Sequence, residues 1–207
     1  LLSAKEIYDL DILKIENENF AFSNTFLSYL TQDTFKKFLI DSVDYSIHEF
    51  DKLFEPDIWQ NGFVLYRKYS RKDVFRILNV SENPVAQNVG GYLVSHDNTH
   101  CPIFVNYHKE EDISESTKYE DEFVNNKEFD WMSKSNRKIN SNDVQSILGK
   151  KGPIRLPLFI KKNNDEGLDF YYMGEVSPEL EKVEQTTMSN DSGKQISVVK
   201  IRFKLDS

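Results

Sequence analysis

The sequence predicts an α+β protein, in which a helical segment precedes a mixed sheet that is curled or barrel-like. Residues 1–60 contain no glycine and repeat apolar side chains at helical spacing, whereas strand-like runs begin at Gly62. Roughly seven or eight such runs follow, and only two short helices interrupt them. Many short strands with few helices favour a sheet that curls on itself. We therefore predict a small helical connector at residues 1–60 and a β-rich domain at residues 61–207.

Two or three amphipathic helices are expected in residues 1–60. Ser3 and Glu6 have the spacing of a capping box, and apolar side chains recur every three or four residues between Phe35 and Phe54. The segment carries five Lys, no Arg and twelve acidic residues, a net charge of −7. The remaining residues carry 21 basic and 22 acidic side chains, so the acidity of the chain belongs to the connector.

The β-rich domain begins with a strand and a helix. "GFVLYRKY" is strand-like, and "YSRKDVFRILN" opens a helix whose N-cap is Ser70. Two pairs of strands follow, "NVGGYLV" with "CPIFVNYHK" and "KYEDEFV" with "EFDWMS". After a short helix at residues 142–148, "IRLPLFIKK" and "LDFYYMGEV" form a further hairpin. "EQTTMSNDSGK" is expected to be an exposed loop before the last strand, "QISVVKIRFKL".

Composition excludes several classes of protein. The chain is 39% hydrophobic with a mean hydropathy of −0.57, and no apolar run approaches the roughly 20 residues of a membrane span. No secretory signal is recognisable, and a single cysteine, Cys101, excludes an internal disulfide. We therefore expect a cytoplasmic protein without a membrane partner. His96 and His100 beside Cys101 do not have the spacing of a zinc site, so no metal or cofactor is expected.

The sequence shows no catalytic machinery of its own. Motifs of hydrolases, P-loop proteins and dinucleotide-binding proteins are absent. Cys101 lies beside a proline at the start of an apolar strand, so we expect a buried thiol rather than a nucleophile. The paired glycines of "QNVGGY" favour a tight turn or a close backbone approach over a phosphate cradle. The acidic run in "YEDEF" leaves a fragment of a metal-dependent nuclease open as an outside alternative.

Two basic clusters suggest contacts with phosphate. "YRKYSRKDVFR" places cations in the first turn of the predicted helix, where they oppose the helix dipole and an anion would compensate them. "SKSNRK" combines cations with neutral hydrogen-bond donors, the mixture used for sugar-phosphate contacts. A solvated basic face is the alternative. The residues predicted to contact a DNA backbone are Arg71, Lys72, Ser133, Lys134, Ser135, Asn136 and Arg137, with His108 as a weaker candidate.

Aromatic side chains beside the strands suggest recognition of a base. Most must belong to the core, but Tyr and Trp can also stack on a base at the mouth of a barrel. A neighbouring carboxylate can accept a hydrogen bond from cytosine N4, and Asp130 is one suitable group. Stacking rings, a carboxylate and flanking cations are what a pocket for an extruded base requires. The predicted pocket residues are Tyr119 and Trp131, then Tyr107 and Tyr92, with Glu120 or Asp121 reading the cytosine edge.

Several stretches occur in the order of a known family, namely "YSRKDVFRILN", "QNVGGY", "CPIFVNYHK", "SESTKYEDEF", "FDWMSKSNR" and "FYYMG". Together they resemble the C-terminal domain of SauUSI-type, modification-dependent (type IV) restriction enzymes, in which a phospholipase-D-type nuclease is joined to a DEAD-box helicase motor. The resemblance covers roughly residues 66–174. The nuclease and ATPase motifs of that family are absent here, so those activities are not carried over.

The resemblance implies a non-catalytic domain that recognises 5-methylcytosine or 5-hydroxymethylcytosine in duplex DNA. It also implies an SRA-like (PUA-related) curled β-barrel, with upstream helicase and nuclease domains in the same polypeptide. The expected mechanism is rotation of the modified cytosine into an aromatic pocket. The principal alternative is a protein-interaction module that docks or regulates the motor, with its aromatic residues in the core.

Overall fold

The computed structural model describes residues 11–16, 19–53, 58–80, 84–85, 89–107, 122–125, 127–162, 166–189 and 193–206. Within these ranges the helices are α1 (Asn24–Leu30), α2 (Asp33–Leu53), α3 (Arg71–Ile77) and α4 (Asn142–Ile147). The strands are β1 (Leu13–Glu16), β2 (Asn19–Phe22), β3 (Trp59–Gln60), β4 (Phe63–Val64), β5 (Lys68–Tyr69), β6 (Ile103–Asn106), β7 (Glu122–Phe123), β8 (Glu128–Met132), β9 (Pro157–Lys161), β10 (Phe170–Ser189) and β11 (Gln195–Asp206). No helix in these ranges is long and apolar enough to cross a membrane.

Residues 1–60, the predicted connector, contain a hairpin where helices were expected. β1 and β2 pair antiparallel, with Leu13 opposite Phe22. The stretch "LKIE" alternates apolar and polar residues, which is the two-residue period of a strand and explains the difference. The helices α1 and α2 follow, and the Ser23 side chain caps the first turn of α1. The capping-box pair Ser3 and Glu6 lies outside the described residues.

Seven of the described strands form one mixed sheet in the order β6-β9-β10-β11-β8-β7, with β5 also paired to β10. β6 and β9 are parallel, and the other described pairs in this sheet are antiparallel. The pairs β7–β8 and β9–β10 match two of the predicted hairpins, and β11 matches the predicted last strand. The α+β class and the mixed sheet are therefore confirmed.

Two predicted segments differ from the structure. "NVGGYLV" is not a regular strand, because Tyr92 makes only one antiparallel bridge, to Ile103, and the left-handed backbone of Gly90 precedes it. The expected loop at residues 184–194 is a strand as far as Ser189, where β10 still pairs with β11. The β-branched Thr186 and Thr187 in that stretch favour an extended backbone.

The sheet curls until its two edge strands approach each other. Tyr107 directly follows β6, and its ring centre lies 6.1 Å from that of Phe123 on β7. Tyr92, which bridges to β6, contacts Trp131 of β8 across the interior. No hydrogen-bonded ladder joins β6 to β7 in the described part of the chain, so the predicted curl is present but the barrel is open. We call this gap between β6 and β7 the seam.

Apolar residues are buried on both faces of the sheet. Successive side chains of β9 point to opposite faces, so Leu158 and Ile160 belong to one buried cluster and Phe159 to the other. α4 packs into the first cluster and α3 into the second. Side chains at the ends of the strands are consequently the ones left to form a binding surface.

Candidate nucleic-acid interface

Trp131 and Tyr92, which were predicted to line the base pocket, lie in the core. Each residue is only 2% exposed, and their ring centres are 5.1 Å apart in an edge-to-face contact. Phe203 also contacts the Trp131 ring, and the Tyr92 hydroxyl donates a hydrogen bond to Asp143. Neither ring has a face open to a base, so the structure gives both residues a structural role in place of the predicted one.

Ser133 has a structural role as well. Its side chain is completely buried, and its hydroxyl accepts a hydrogen bond from the Val199 amide, which ties the end of β8 to β11. A backbone phosphate cannot reach this hydroxyl. The structure therefore removes Ser133 from the predicted DNA contacts.

Asp130 is occupied by neighbouring cations. The Arg202 guanidinium donates to both carboxylate oxygens, at 2.6 and 3.0 Å, and Lys200 Nζ lies 3.1 Å away. These contacts, with the Arg202 hydrogen bonds as the largest cause, lower the pKa of Asp130 although its burial opposes the shift. The carboxylate thus pairs with Arg202 and Lys200 of β11, so it is not available to accept a hydrogen bond from a cytosine.

Arg71 does not project freely from the start of α3. Its guanidinium carbon lies 5.2 Å from the ring centre of Phe104 and 4.9 Å from that of Phe170, and Nη2 donates to the Gly90 carbonyl at 3.2 Å. Burial lowers the pKa of Arg71. Lys72, the next residue, is exposed. Arg71 is therefore a fixed, half-buried cation, whereas Lys72 is a surface cation.

Gly90 brings the two predicted basic clusters together. A Cβ placed on Gly90 would meet Lys134 Cε at 3.6 Å, while Arg71 contacts the carbonyl of the same residue. Gly90 has a φ of +70°, a conformation that glycine adopts without steric cost. Gly90 thus supplies a left-handed turn between the two clusters, whereas the 3.6 Å spacing is an ordinary van der Waals contact that does not require glycine.

The second cluster contributes a row of polar side chains. Lys134 Nζ lies 4.5 Å from the Tyr92 ring centre, and burial lowers the pKa of this lysine. Arg137 Nε donates to Asp143 at 2.6 Å. Burial alone would raise the pKa of Asp143, but hydrogen bonds from Arg137 and Tyr92 lower it. Ser135 is half-buried, Asn136 and Lys72 are exposed, and together with Arg71, Lys134 and Arg137 they form what we call the basic rim.

An aromatic pocket of about 380 Å³ opens at the seam. This volume lies within the roughly 300–1,000 Å³ typical of small-ligand sites, and the lining is almost entirely apolar. The two edges of the sheet contribute Tyr107 and Phe123, and the adjoining strands contribute the floor. Among the described residues, the lining consists of Tyr66, Tyr107, Phe123, Ile160, Lys162, Tyr171 and Met173.

Tyr66 occupies an unusual backbone conformation at this pocket. Its φ is +63°, a left-handed region that costs a bulky L-residue energy, and its side chain is 65% exposed. The conformation is held because the Tyr66 amide donates to the Tyr172 carbonyl, while the Tyr172 amide donates to the Arg67 carbonyl. Strain of this kind concentrates at functional sites. The fold thus presents an exposed ring at the pocket at some energetic cost.

Of the predicted pocket residues, Tyr107 is the one that the structure places at this opening. Tyr119, Glu120, Asp121 and His108 lie outside the described residues. In the sequence they belong to residues 108–121, the segment that connects β6 to β7, the two strands that border the seam. Their predicted roles stay predictions.

Sequence reasoning did not assign Tyr66, Phe123, Lys162, Tyr171 or Met173 to the site. The alternation in "FYYMG" does place residues 171 and 173 on one face of a strand. Which face borders an open seam depends on pairing between distant strands, which the sequence does not reveal.

A second depression, of about 760 Å³, is polar and adjoins the basic rim through Arg137. Its lining combines hydroxyl, amide and charged side chains, including His96, Asn98, Asp143 and Lys151. Such a lining suits sugar-phosphate contacts better than stacking on a base.

Comparisons with known proteins place this geometry in context. A family model described as "Domain of unknown function (DUF3427)" matches residues 63–207. No curated protein matches the chain. Among solved structures, the chain is similar to "DNA modification-dependent restriction endonuclease AspBHI", with a TM-score of 0.50, 13% identity, and coverage of 74% of this chain and 80% of that chain.

A further solved structure with some likeness is Arabidopsis thaliana SUVH6 in complex with SAM. The TM-score is 0.40 with 15% identity, and the match covers 77% of this chain and 30% of that chain. This similarity is too weak to carry an argument. The likeness to the restriction endonuclease shows a shared fold, and the function must be argued from the site.

Proposed function

Because the chain belongs to the DUF3427 family and shares its fold with a modification-dependent restriction endonuclease, we propose that it is a non-catalytic DNA-recognition domain. Its target is duplex DNA that contains 5-methylcytosine or 5-hydroxymethylcytosine. The observation that carries the proposal is an open aromatic pocket at the seam of the sheet, in a domain that also bears the cations of the basic rim.

The pocket suits a base that has left the double helix. A stacked base exposes only its edges, whereas the rings of Tyr66, Tyr107 and Tyr171 offer faces on which an extruded base can stack. Extrusion costs a few kcal/mol, and stacking on aromatic side chains contributes about 1–3 kcal/mol per base. The basic rim would supply further affinity by contacting backbone phosphates.

Apolar side chains in the pocket would distinguish a 5-methylcytosine from an unmodified cytosine. Ile160 and Met173 give the pocket a carbon-lined wall, against which a 5-methyl group loses its contact with water. Burial of one methyl group contributes about 0.8 kcal/mol, which corresponds to a preference of about fourfold. A hydroxymethyl group would need a hydrogen-bond partner at this wall, so we expect the methyl form to bind at least as well.

The proposed contacts revise the sequence prediction. The proposed pocket keeps Tyr107 and adds Tyr66 and Tyr171. It no longer includes Trp131 and Tyr92. Tyr119, with Glu120 or Asp121 accepting a hydrogen bond from cytosine N4, remains proposed from the sequence alone. The proposed backbone contacts are Arg71, Lys72, Lys134, Ser135, Asn136, Arg137 and His108.

The wider setting rests on the sequence resemblance. We propose an SRA-like architecture for the β-rich domain, and a cytoplasmic, SauUSI-type restriction enzyme that defends against phage as its context. The helicase and nuclease domains would then lie upstream in the same polypeptide. Residues 1–60 would connect them to the recognition domain at residues 61–207, and their acidity would keep that connector away from DNA.

Fluorescence anisotropy tests the proposal with duplexes that differ only at one cytosine, which is unmodified, 5-methylated or 5-hydroxymethylated. The 207-residue chain should bind the methylated duplex about fourfold more tightly than the unmodified one. Tyr107→Ala should abolish this preference, whereas Tyr45→Ala, an equally simple truncation of an exposed ring on α2, should retain it. Equal, weak binding of all three duplexes by the native chain would contradict the proposal.

One observation favours the alternative, a protein-interaction module. α2 exposes large apolar side chains along its length, and these belong to the connector rather than to the sheet. Exposed residues of this kind mark association surfaces. Docking through α2 and DNA recognition at the seam use separate parts of the molecule, so the anisotropy experiment distinguishes them.

A further inference from the structure

Two cations lie beside the same phenylalanine in the described structure. Arg71 Cζ is 4.9 Å from the ring centre of Phe170, and Lys161 Nζ is 5.1 Å from it. The separation of the two charges therefore cannot exceed the sum of these distances. Like charges this close repel each other in a partly buried environment.

Within the described part of the chain, neither cation has hydrogen-bond partners for all of its donors. Lys161 is 8% exposed, and its ammonium group donates a hydrogen bond to the Gly167 carbonyl at 3.1 Å. Arg71 Nε is buried without a hydrogen-bond partner among the described residues. Burial lowers the pKa of both side chains, and the charge of Arg71 lowers that of Lys161 further.

The neighbouring carboxylate does not resolve this repulsion. Glu166 favours the charged form of Lys161, but its carboxylate oxygen lies 3.6 Å from Lys68 Nζ and is shared with that second lysine. Among the described residues, Lys161 and Lys68 thus share the Glu166 carboxylate, while Arg71 adds a further positive charge beside Lys161. An additional anion would stabilise the cluster, since buried charges require compensation.

We propose that Arg71 and Lys161 form an oxyanion site that binds a phosphate group of the DNA backbone. This inference rests on the proposed function and adds Lys161 and the Phe170 platform to it. Arginine supplies a planar fork of donors for phosphate oxygens, and lysine supplies a point charge.

The position of Lys161 links this site to the aromatic pocket. Ile160 and Lys162, its neighbours along the chain, line the pocket, whereas Lys161 points to the opposite face. The Lys161 carbonyl also accepts a hydrogen bond from the Tyr107 amide. One short segment therefore positions both the oxyanion site and the pocket wall.

Thermal unfolding in sodium phosphate, against sodium chloride at matched ionic strength, tests the oxyanion site. Phosphate should raise the Tm of the native chain by a few degrees, and Lys161→Met should lose most of that rise. Lys150→Met, which removes an exposed lysine after α4, should keep it. In chloride, Lys161→Met should unfold at the native temperature or above, because it removes a buried cation. If Lys161→Met does not fold, Lys161→Gln serves in its place.

A phosphate response that is absent from the native chain, or equal in all variants, would overturn the oxyanion site. Anisotropy then identifies the source of the phosphate. Lys161→Met should weaken binding to methylated and unmodified duplexes by the same factor, about tenfold, and leave the methyl preference unchanged. A phosphate response without duplex binding would assign the site to free phosphate and would overturn the DNA assignment and the proposed function. An intact methyl preference without a phosphate response would overturn the oxyanion site alone.

Discussion

Two groups of aromatic residues in this domain have the same chemistry and different environments. Trp131 and Tyr92 are sealed between β8 and the edge near β6, and each is 2% exposed. Tyr107 and Tyr66 lie at the seam, where they are 36% and 65% exposed. The curl of the sheet, rather than residue type, decides which rings can meet a ligand. The interior pair stabilises the fold, and the pair at the seam is exposed to solvent.

The largest effect on stability is expected from the interior pair. Trp131→Ala should lower the free energy of unfolding by about 3–5 kcal/mol, because it leaves a cavity among Tyr92 and Phe203. Urea denaturation followed by circular dichroism measures this loss. An unchanged urea midpoint together with lost DNA binding would show that Trp131 contacts the base. The interior and seam groups would then not differ in function.

A smaller and pH-dependent loss is expected for Asp130→Asn. Arg202 and Lys200 lower the pKa of Asp130 in the folded protein, so the ionised carboxylate stabilises the fold at neutral pH. That contribution is complete above the unfolded pKa of about 3.9 and disappears as the pH falls through the lower folded value. The difference in urea midpoint between the native chain and the variant should therefore shrink from pH 5 towards pH 2. A difference that grows on acidification would contradict the ion pair.

Tyr66→Gly separates folding from binding at the seam. Glycine relieves the left-handed strain of about 1–2 kcal/mol and loses about 0.5–1 kcal/mol to unfolded-chain entropy, so stability should be unchanged or slightly higher. Loss of the ring should cost about 1–3 kcal/mol of binding to the methylated duplex. Tyr45→Ala, at a ring of similar exposure on α2, should change neither quantity. A less stable Tyr66→Gly with unchanged affinity would make Tyr66 a packing residue.

The smallest effect is expected at the exposed part of the basic rim. Lys72→Ala should weaken binding equally to modified and unmodified duplexes, since phosphate contacts carry no base information. The slope of log K against log salt concentration should fall by about 0.9 for one lost phosphate contact. Anisotropy titrations at several salt concentrations measure the slope. An unchanged slope would place Lys72 outside the interface.

Local features of this fold could be predicted from the sequence. Ser70 caps α3 as expected, and "EFDWM" forms β8 as expected, because caps and strand periodicity depend on neighbouring residues. The turn at Gly90 could also be predicted, since glycine adopts a positive φ without steric cost.

Features that depend on distant residues could not be predicted. Trp131 and Tyr107 both accompany strands, and only the strand order shows that β8 lies inside the sheet while β6 is an edge. β6 pairs in parallel with β9, which is distant along the chain. Tyr107, which follows β6, then lies beside Phe123 at the seam. The φ of Tyr66 is likewise imposed by the hydrogen bonds that Tyr66 and Arg67 make with the distant Tyr172.

The central claim is that the seam accepts a modified cytosine that has left the double helix. Fluorescence of 2-aminopurine placed next to the 5-methylcytosine measures this event, because the probe brightens when its neighbour unstacks. The native chain should raise the fluorescence at saturation, and Tyr66→Gly with Tyr107→Ala should not at equal occupancy. Saturated binding of the methylated duplex with no rise in fluorescence would contradict the account.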